Sequence, residues 1–164
     1  MSDDTSEALP SEPRSPRTSR TQMTELVLPQ HGNVLGSAFG GTVLAWIDVC
    51  GAIAAQRHCG RIAVTAALDE VTFKAPIRVG DVVILTARVN AAFRTSLEVE
   101  VWVEVEDRVS AARRPCVDAF MTFVALDEGS PCPVPPLLTE TPEDHERAEA
   151  ARSRRADRLA RRAR

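Results

Sequence analysis

The stretch His31-Gly32-Asn33-Val34-Leu35-Gly36-Ser37-Ala38-Phe39-Gly40-Gly41 runs into an apolar segment that holds a single carboxylate, Asp48. A glycine pair at a helix start lets a substrate atom approach the backbone. The first free N–H groups of the helix then offer donors to a developing negative oxygen. The same glycines also suit a tight turn into a buried helix. Asp48 stands eight residues after Gly40, about two helical turns on, between Ile47 and Val49. A carboxylate in so apolar a helix is costly unless it is paired or functional. It is either held by a hydrogen bond or open to solvent at an interface, or it is a partly desolvated general base or nucleophile. Cys50, Cys59, Cys116 and Cys132 show no CxxC pair or other metal spacing, and no activating partner is evident. They read as free packing thiols, and no metal site is expected. His31 and His58 are further candidate bases, although neither sits on an apolar element facing Asp48.

These residues need elements to hold them. The segment Thr42 to Gln56, TVLAWIDVCGAIAAQ, is apolar on nearly every side and predicts a buried helix of four turns. Gly51 in its interior marks close packing. A short strand is expected at Thr24 to Leu28. After Gly60 the period changes to alternation, with strands at Ile62 to Phe73, Asp81 to Val89, Ser96 to Glu106 and Cys116 to Ala125. In the third, Leu97, Val99, Val101, Val103 and Val105 face one way. Glu98, Glu100, Trp102, Glu104 and Glu106 face the other, which is expected to meet mostly water. Short connections make the sheet antiparallel. The class is therefore α+β, with one long buried helix against a curved antiparallel sheet. Strands this long leave edges, and pairing two sheets edge to edge predicts a dimer.

The chain has 164 residues, 44% hydrophobic and 26% charged, which fits one domain. Residues 1–20 are rich in Ser, Pro, Asp, Glu and Arg and are expected to be a disordered tail. The domain then covers 21–127, a proline-rich exit segment 128–141, and a charged helix 142–164. The helix start is marked by Thr141 at the cap, Pro142 and two acids. Eight arginines against five acids leave this tail at +3, within a chain of net charge -3. It is expected to be a solvated helix rather than a membrane anchor or a polynucleotide footprint. No membrane span and no secretory signal are present in the sequence, so a cytoplasmic location is expected.

The run HGNVLGSAFGGTVLAWIDVCGAIAAQRHC resembles the signature of acyl-CoA hydrolases of the hot-dog-fold thioesterases. The similarity continues through VTAALDEVTFKAPIRVGDVV, then Phe93-Arg94-Thr95-Ser96-Leu97-Glu98-Val99, and the proline-rich exit with its charged helix. It spans residues 21–158. One departure is Phe93, where a glycine is common in the family. The resemblance implies a hot-dog fold and hydrolysis of an acyl-CoA thioester to fatty acid and CoA, with no metal and no cofactor. By position, Asp48 would be the general base or nucleophile, and Asn33 would hold water or thioester from the opposite subunit. The N–H of Gly40 or Gly41 would polarise the carbonyl. His31, Lys74, Arg94 and Ser96 are candidates to touch substrate, the cations at the CoA phosphates, with Arg57 and Arg61 further candidates. Such sites form between two hot dogs, so a homodimer is the minimum and a hexamer, a trimer of dimers, the expectation.

Three alternatives stay open at this level. A non-catalytic acyl-CoA-binding sensor on the same fold need not keep both Asn33 and Asp48. A dehydratase acting on acyl carrier protein would want a histidine at a strand position that this chain lacks. The arginine-rich tail could instead meet nucleic acid or anionic lipid.

Overall fold

A computed structural model describes residues 12–163. Five strands form one antiparallel sheet in the order β1 (Thr21–Leu26), β3 (Val82–Ala92), β4 (Ser96–Glu106), β5 (Arg113–Asp127), β2 (Ile62–Phe73), and the two-residue β6 (Ser130–Pro131) adds to β5. The strands at Ile62 and Ser96 have the expected bounds. The others shift or lengthen by a few residues at their ends, where alternation fades into turns. Register shifts in the β2–β5, β3–β4 and β4–β5 pairs add twist, and the sheet curls into a half-barrel.

The long helix α2 (Gly40–Cys59) fills the hollow of that half-barrel, as expected for a hot dog. Val43, Ile47, Cys50, Ala54 and Ala55 are buried against Val99, Val101, Met121 and Phe123 of the sheet. Gly51 faces the sheet at close range. A Cβ at this position would lie 3.1 Å from the Phe123 ring, so the missing side chain sets how closely helix and sheet approach. The helix ends at Gly60, whose φ of +67° gives the left-handed cap that glycine adopts without strain.

Two expectations are corrected. The proposed disordered tail is too long: residues 1–11 lie outside the described residues, but 14–20 are ordered. Arg14 donates to the carbonyls of Arg57 and His58, satisfying two orphan acceptors at the end of α2. Its backbone pairs with Pro136 and Leu138 of the exit segment. A single helical turn, α1 (Pro16–Ser19), follows and leads straight into β1. Composition pointed to disorder because the ordering contacts come from elements distant in sequence.

The second correction concerns the charged helix α3 (Pro142–Arg162), which is not solvated all round. It lies across the outer face of the sheet and buries its own Asp144, Ala148 and Ala151. Arg88–Asp144, Arg147–Glu100, Arg154–Glu98 and Arg158–Asp69 tie it in turn to β3, β4, β4 and β2. The Glu98–Glu100 end of the acidic face of β4 is thus covered rather than wet, with Glu98 only 1% exposed, while Glu104 and Glu106 stay partly exposed and pair with Arg113 of β5. Among the described residues no helix is long and apolar enough to cross a membrane.

Candidate active site

The loop before α2 is shaped by Asn33. Its Oδ1 accepts from the N–H of Leu35 at 2.9 Å and of Ser37 at 3.2 Å, and its own N–H donates to Ser37 O at 2.7 Å. This is the local backbone bonding that asparagine favours in turns. The side-chain NH2 of Asn33 has no partner among the described residues. The 3-10 turn Pro29–His31 leads into this loop. His31 Nδ1 accepts from Leu28 N–H at 3.1 Å, and its ring meets Trp46 edge-on with centroids 5.1 Å apart. Its proton therefore sits on Nε2.

Phe39 caps α2 without a side-chain bond, and its carbonyl accepts from Thr42 and Val43. The N–H groups of Gly40 and Gly41 donate to nothing among the described residues, as the geometry of a helix start dictates. Both glycines are exposed. They are flanked by the rings of Phe39 and Phe73, both more than half exposed, and a Cβ on Gly40 would lie 3.9 Å from Phe73. Here is a pair of free donors beside apolar surface at a positive helix end.

Asp48 lies half-buried on the flank of α2 that faces β2. The Thr65 hydroxyl donates to its Oδ1 at 2.5 Å. Thr65 was not foreseen, because a threonine in a strand reads simply as a good strand former. Only the packing of β2 beside α2 gives it a role. The bond fixes one carboxylate oxygen and leaves Oδ2 without a partner among the described residues.

The spacing along α2 decides what one chain can do alone. Eight residues of helix separate Gly40 from Asp48 by about 12 Å. A single thioester carbonyl cannot rest on the Gly40 donor and take water from Asp48 of the same chain. The structure also divides the predicted cations. Lys74 follows β2 at the Gly40 end of α2 and pairs with Asp118. Arg94 lies in the β3–β4 turn, where Val134 N–H donates to its carbonyl, and Ser96 opens β4 opposite Val124. Six residues of β5 between Asp118 and Val124 set these groups about 20 Å apart. Arg57 is engaged by Arg20 O and Thr21, and Arg61 by Asp127.

The four cysteines are free and buried. Burial pushes the Cys50 thiol up to about 11, against a small opposing pull from Arg57, and raises Cys59 and Cys116 as well. A thiol held in that range is a poor nucleophile. His58 is fully buried with Nε2 2.9 Å from Pro135 O, which fits a structural role.

An open flank surrounds Asp48. The free edge of β2 exposes Ile62, Val64 and Leu68, the loop exposes Val34, Leu35 and Phe39, and Val49 of α2 is also exposed. Exposed apolar side chains along a strand edge that is unpaired among the described residues mark a site of association.

Residues 35–112 match the thioesterase superfamily. An acyl-CoA thioester hydrolase of Bacillus subtilis, described as uncharacterized, is 40% identical over 122 residues, 74% of this chain and 71% of that one. Acyl-coenzyme A thioesterase 11 of Mus musculus is 39% identical over 137 residues, 82% of this chain. The chain spans only 23% of that mouse protein's length. Among solved structures, an apo-hexameric acyl-CoA thioesterase superposes with a TM-score of 0.88 at 40% identity, covering 93% of this chain and 98% of that one. The acyl-CoA hydrolase of Staphylococcus aureus, in complex with butyryl coenzyme A and coenzyme A, gives 0.86 at 35% identity over 92% of each chain. That enzyme has also been solved with one asparagine, one aspartate or one threonine changed to alanine. With its hot-dog architecture and these similarities, the chain belongs to the acyl-CoA thioester hydrolases of the thioesterase superfamily.

Proposed function

We propose that the protein hydrolyses the thioester of a fatty acyl-CoA, at a site that two copies of the chain build together. The observation that carries this reading is the pairing of two half-sites on one helix. Free donors at Gly40 and Gly41 and a hydrogen-bonded carboxylate at Asp48 are too far apart to serve one carbonyl within a chain. Two copies joined at their β2 edges, with their α2 helices antiparallel, bring Gly40 of one toward Asp48 of the other. The exposed apolar flank around Asp48 supports that contact. The three altered residues of the Staphylococcus aureus hydrolase are spaced by fifteen and seventeen positions, the spacing of Asn33, Asp48 and Thr65 here.

In this mechanism the acyl carbonyl oxygen rests on the Gly40 or Gly41 N–H. The Asn33 NH2 orients the attacking water, and Asp48 of the other chain takes its proton as the new C–O bond forms. The oxyanion is stabilised by the backbone donors. The C–S bond then breaks, and the leaving thiolate takes the proton back from Asp48. The products are a carboxylic acid and coenzyme A, and no further cofactor enters. Thr65 is a positioning residue that holds the Asp48 carboxylate in place. The functional unit is at least a homodimer, and the hexameric relative supports a trimer of dimers. Four free thiols fit a reducing cytoplasm.

A thiol-release assay over acyl-CoAs from acetyl to palmitoyl tests the reading. Asp48→Asn is expected to lower kcat by about two orders of magnitude or more with its fold and oligomeric state unchanged. Undiminished turnover by that variant would overturn it. Tight acyl-CoA binding by the wild-type protein without CoA release would favour the sensor instead.

A further inference from the structure

Where α1, β3 and the start of α3 meet, a cavity of about 200 Å³ is lined by Arg17, Arg20, Arg88, Thr141, Glu143 and Asp144. The acids here are already engaged. Asp144 accepts from Arg88 at 2.6 Å and from the N–H groups of Glu140 and Thr141, and Glu143 accepts from Arg147. The guanidinium of Arg17 has no ion pair or hydrogen bond among the described residues. Among the described residues the Arg20 guanidinium has only the face of Trp102, 5.6 Å from its Cζ to the ring centroid. Arg88 keeps a buried Nε–H without an acceptor among the described residues. The cavity is therefore lined by two exposed guanidinium groups that have no carboxylate partner among the described residues, beside the Arg88 guanidinium held by Asp144. This contrasts with the rest of the α3 interface, where Arg147, Arg154 and Arg158 each have a carboxylate.

We propose that Arg17, Arg20 and Arg88 form a binding site for a phosphomonoester group. Guanidinium forks match phosphoryl oxygens two at a time, and a dianion neutralises the two free charges. The size sets the ligand class. Pockets for whole drug-sized molecules begin near roughly 300 Å³, so this one takes a phosphoryl group and the first atoms of its ester. The ligand is then a small phosphorylated metabolite or the phosphorylated end of a larger one. The 3′-phosphate of a coenzyme A molecule is one such end. The site stands on the charge arrangement, independently of the hydrolysis proposed above.

Calorimetric titration of the full chain with inorganic phosphate at low ionic strength tests it. Binding in the millimolar range or tighter is expected for the wild-type protein. In Arg17→Gln/Arg20→Gln it should weaken by about tenfold or more, as removal of charge-assisted hydrogen bonds predicts. The single exposed change Arg17→Gln, with an unaltered melting profile, should give part of that loss and separates ligand contact from folding. Absence of binding to the folded wild-type protein, or binding unchanged in both variants, overturns the proposal. Displacement of phosphate by coenzyme A but not by 3′-dephospho-coenzyme A identifies the coenzyme tail as the source. Displacement by neither, with phosphate still bound, identifies a separate phosphorylated ligand.

Discussion

The two long helices of this protein lie on opposite faces of one sheet and are held by different physics. The α2 helix is fixed by shape. Its contact residues are apolar, and Gly51 lies so close to Phe123 that a Cβ there would push the ring back by a few tenths of an ångström. By contrast, α3 is fixed by charge. Its inner stripe of Asp144, Arg147, Ala148, Ala151, Arg154 and Arg158 has the helical spacing of an amphipathic face, yet only alanines supply its buried apolar part. Arg154 and Arg155 also stack over Phe120 and Phe93, at 3.8 and 4.7 Å from the ring centroids. An apolar contact depends weakly on pH and salt. A latch of guanidinium–carboxylate pairs depends on both.

The largest expected effect is on the shape-fixed side. Phe123→Ala removes the ring that fills the space beside Gly51 and should cost about 3–5 kcal/mol in urea denaturation, with little change between low and high salt. A loss below about 1 kcal/mol would mean that α2 is not held by this contact.

On the charge-fixed side, Glu98→Ala leaves Arg154 without its carboxylate under α3. A loss of about 2 kcal/mol is expected, since Glu98 is buried while Arg154 is partly exposed. The loss should shrink as salt is raised. A salt-independent loss would make Glu98 a packing residue and would erase the distinction between the helices.

Acid should loosen α3 through Asp144. Burial raises this carboxyl, but the Arg88 guanidinium and the N–H groups of Glu140 and Thr141 outweigh that and bring it from 3.8 down to about 2. Its folded value lies below its unfolded one, so its stabilisation is present above pH 3.8 and is lost as pH falls toward 2. The size is about 2 kcal/mol. Asp144→Asn should flatten that part of the acid denaturation curve.

His58 gives a pH dependence on the other face, at the end of α2. Burial lowers its imidazole, the hydrogen bond to Pro135 opposes this, and the Arg14 charge adds to the lowering. The unfolded chain therefore takes up the proton first, and stability falls as pH drops through 6.5. His58→Gln should remove that slope in denaturation midpoints measured on either side of this value. The smallest effect belongs to the exposed Arg152–Glu149 pair on the outer side of α3, where Glu149→Ala should change stability by less than about 0.5 kcal/mol.

The same contrast separates what was legible in the sequence. The strands at Ile62–Phe73 and Ser96–Glu106 and the helix around Asp48 announce themselves by period, because burial on one face repeats along the chain. Gly40, Gly41 and Asp48 stand out in the sequence as well, since glycines at a helix start and an acid in an apolar helix break local rules, whereas Asn33 was singled out only by the family resemblance. Thr65 was not, because its significance lies in a contact seventeen residues away in sequence. Nor was the docking of α3. Its arginines and the glutamates of β4 each read as solvated, and only their juxtaposition makes them an interface. The ordering of Arg14 was missed for the same reason, since the carbonyls it caps belong to the end of α2.

Local pattern by itself determined the long apolar helix, the strands and the residues that break their rules, because propensity and period act between near neighbours. Tertiary structure alone decided two things. It placed α3 over the Glu98–Glu100 end of β4, and it gathered Arg17, Arg20 and Arg88 around one cavity. Each depends on distances between segments remote in sequence, which composition and period do not encode.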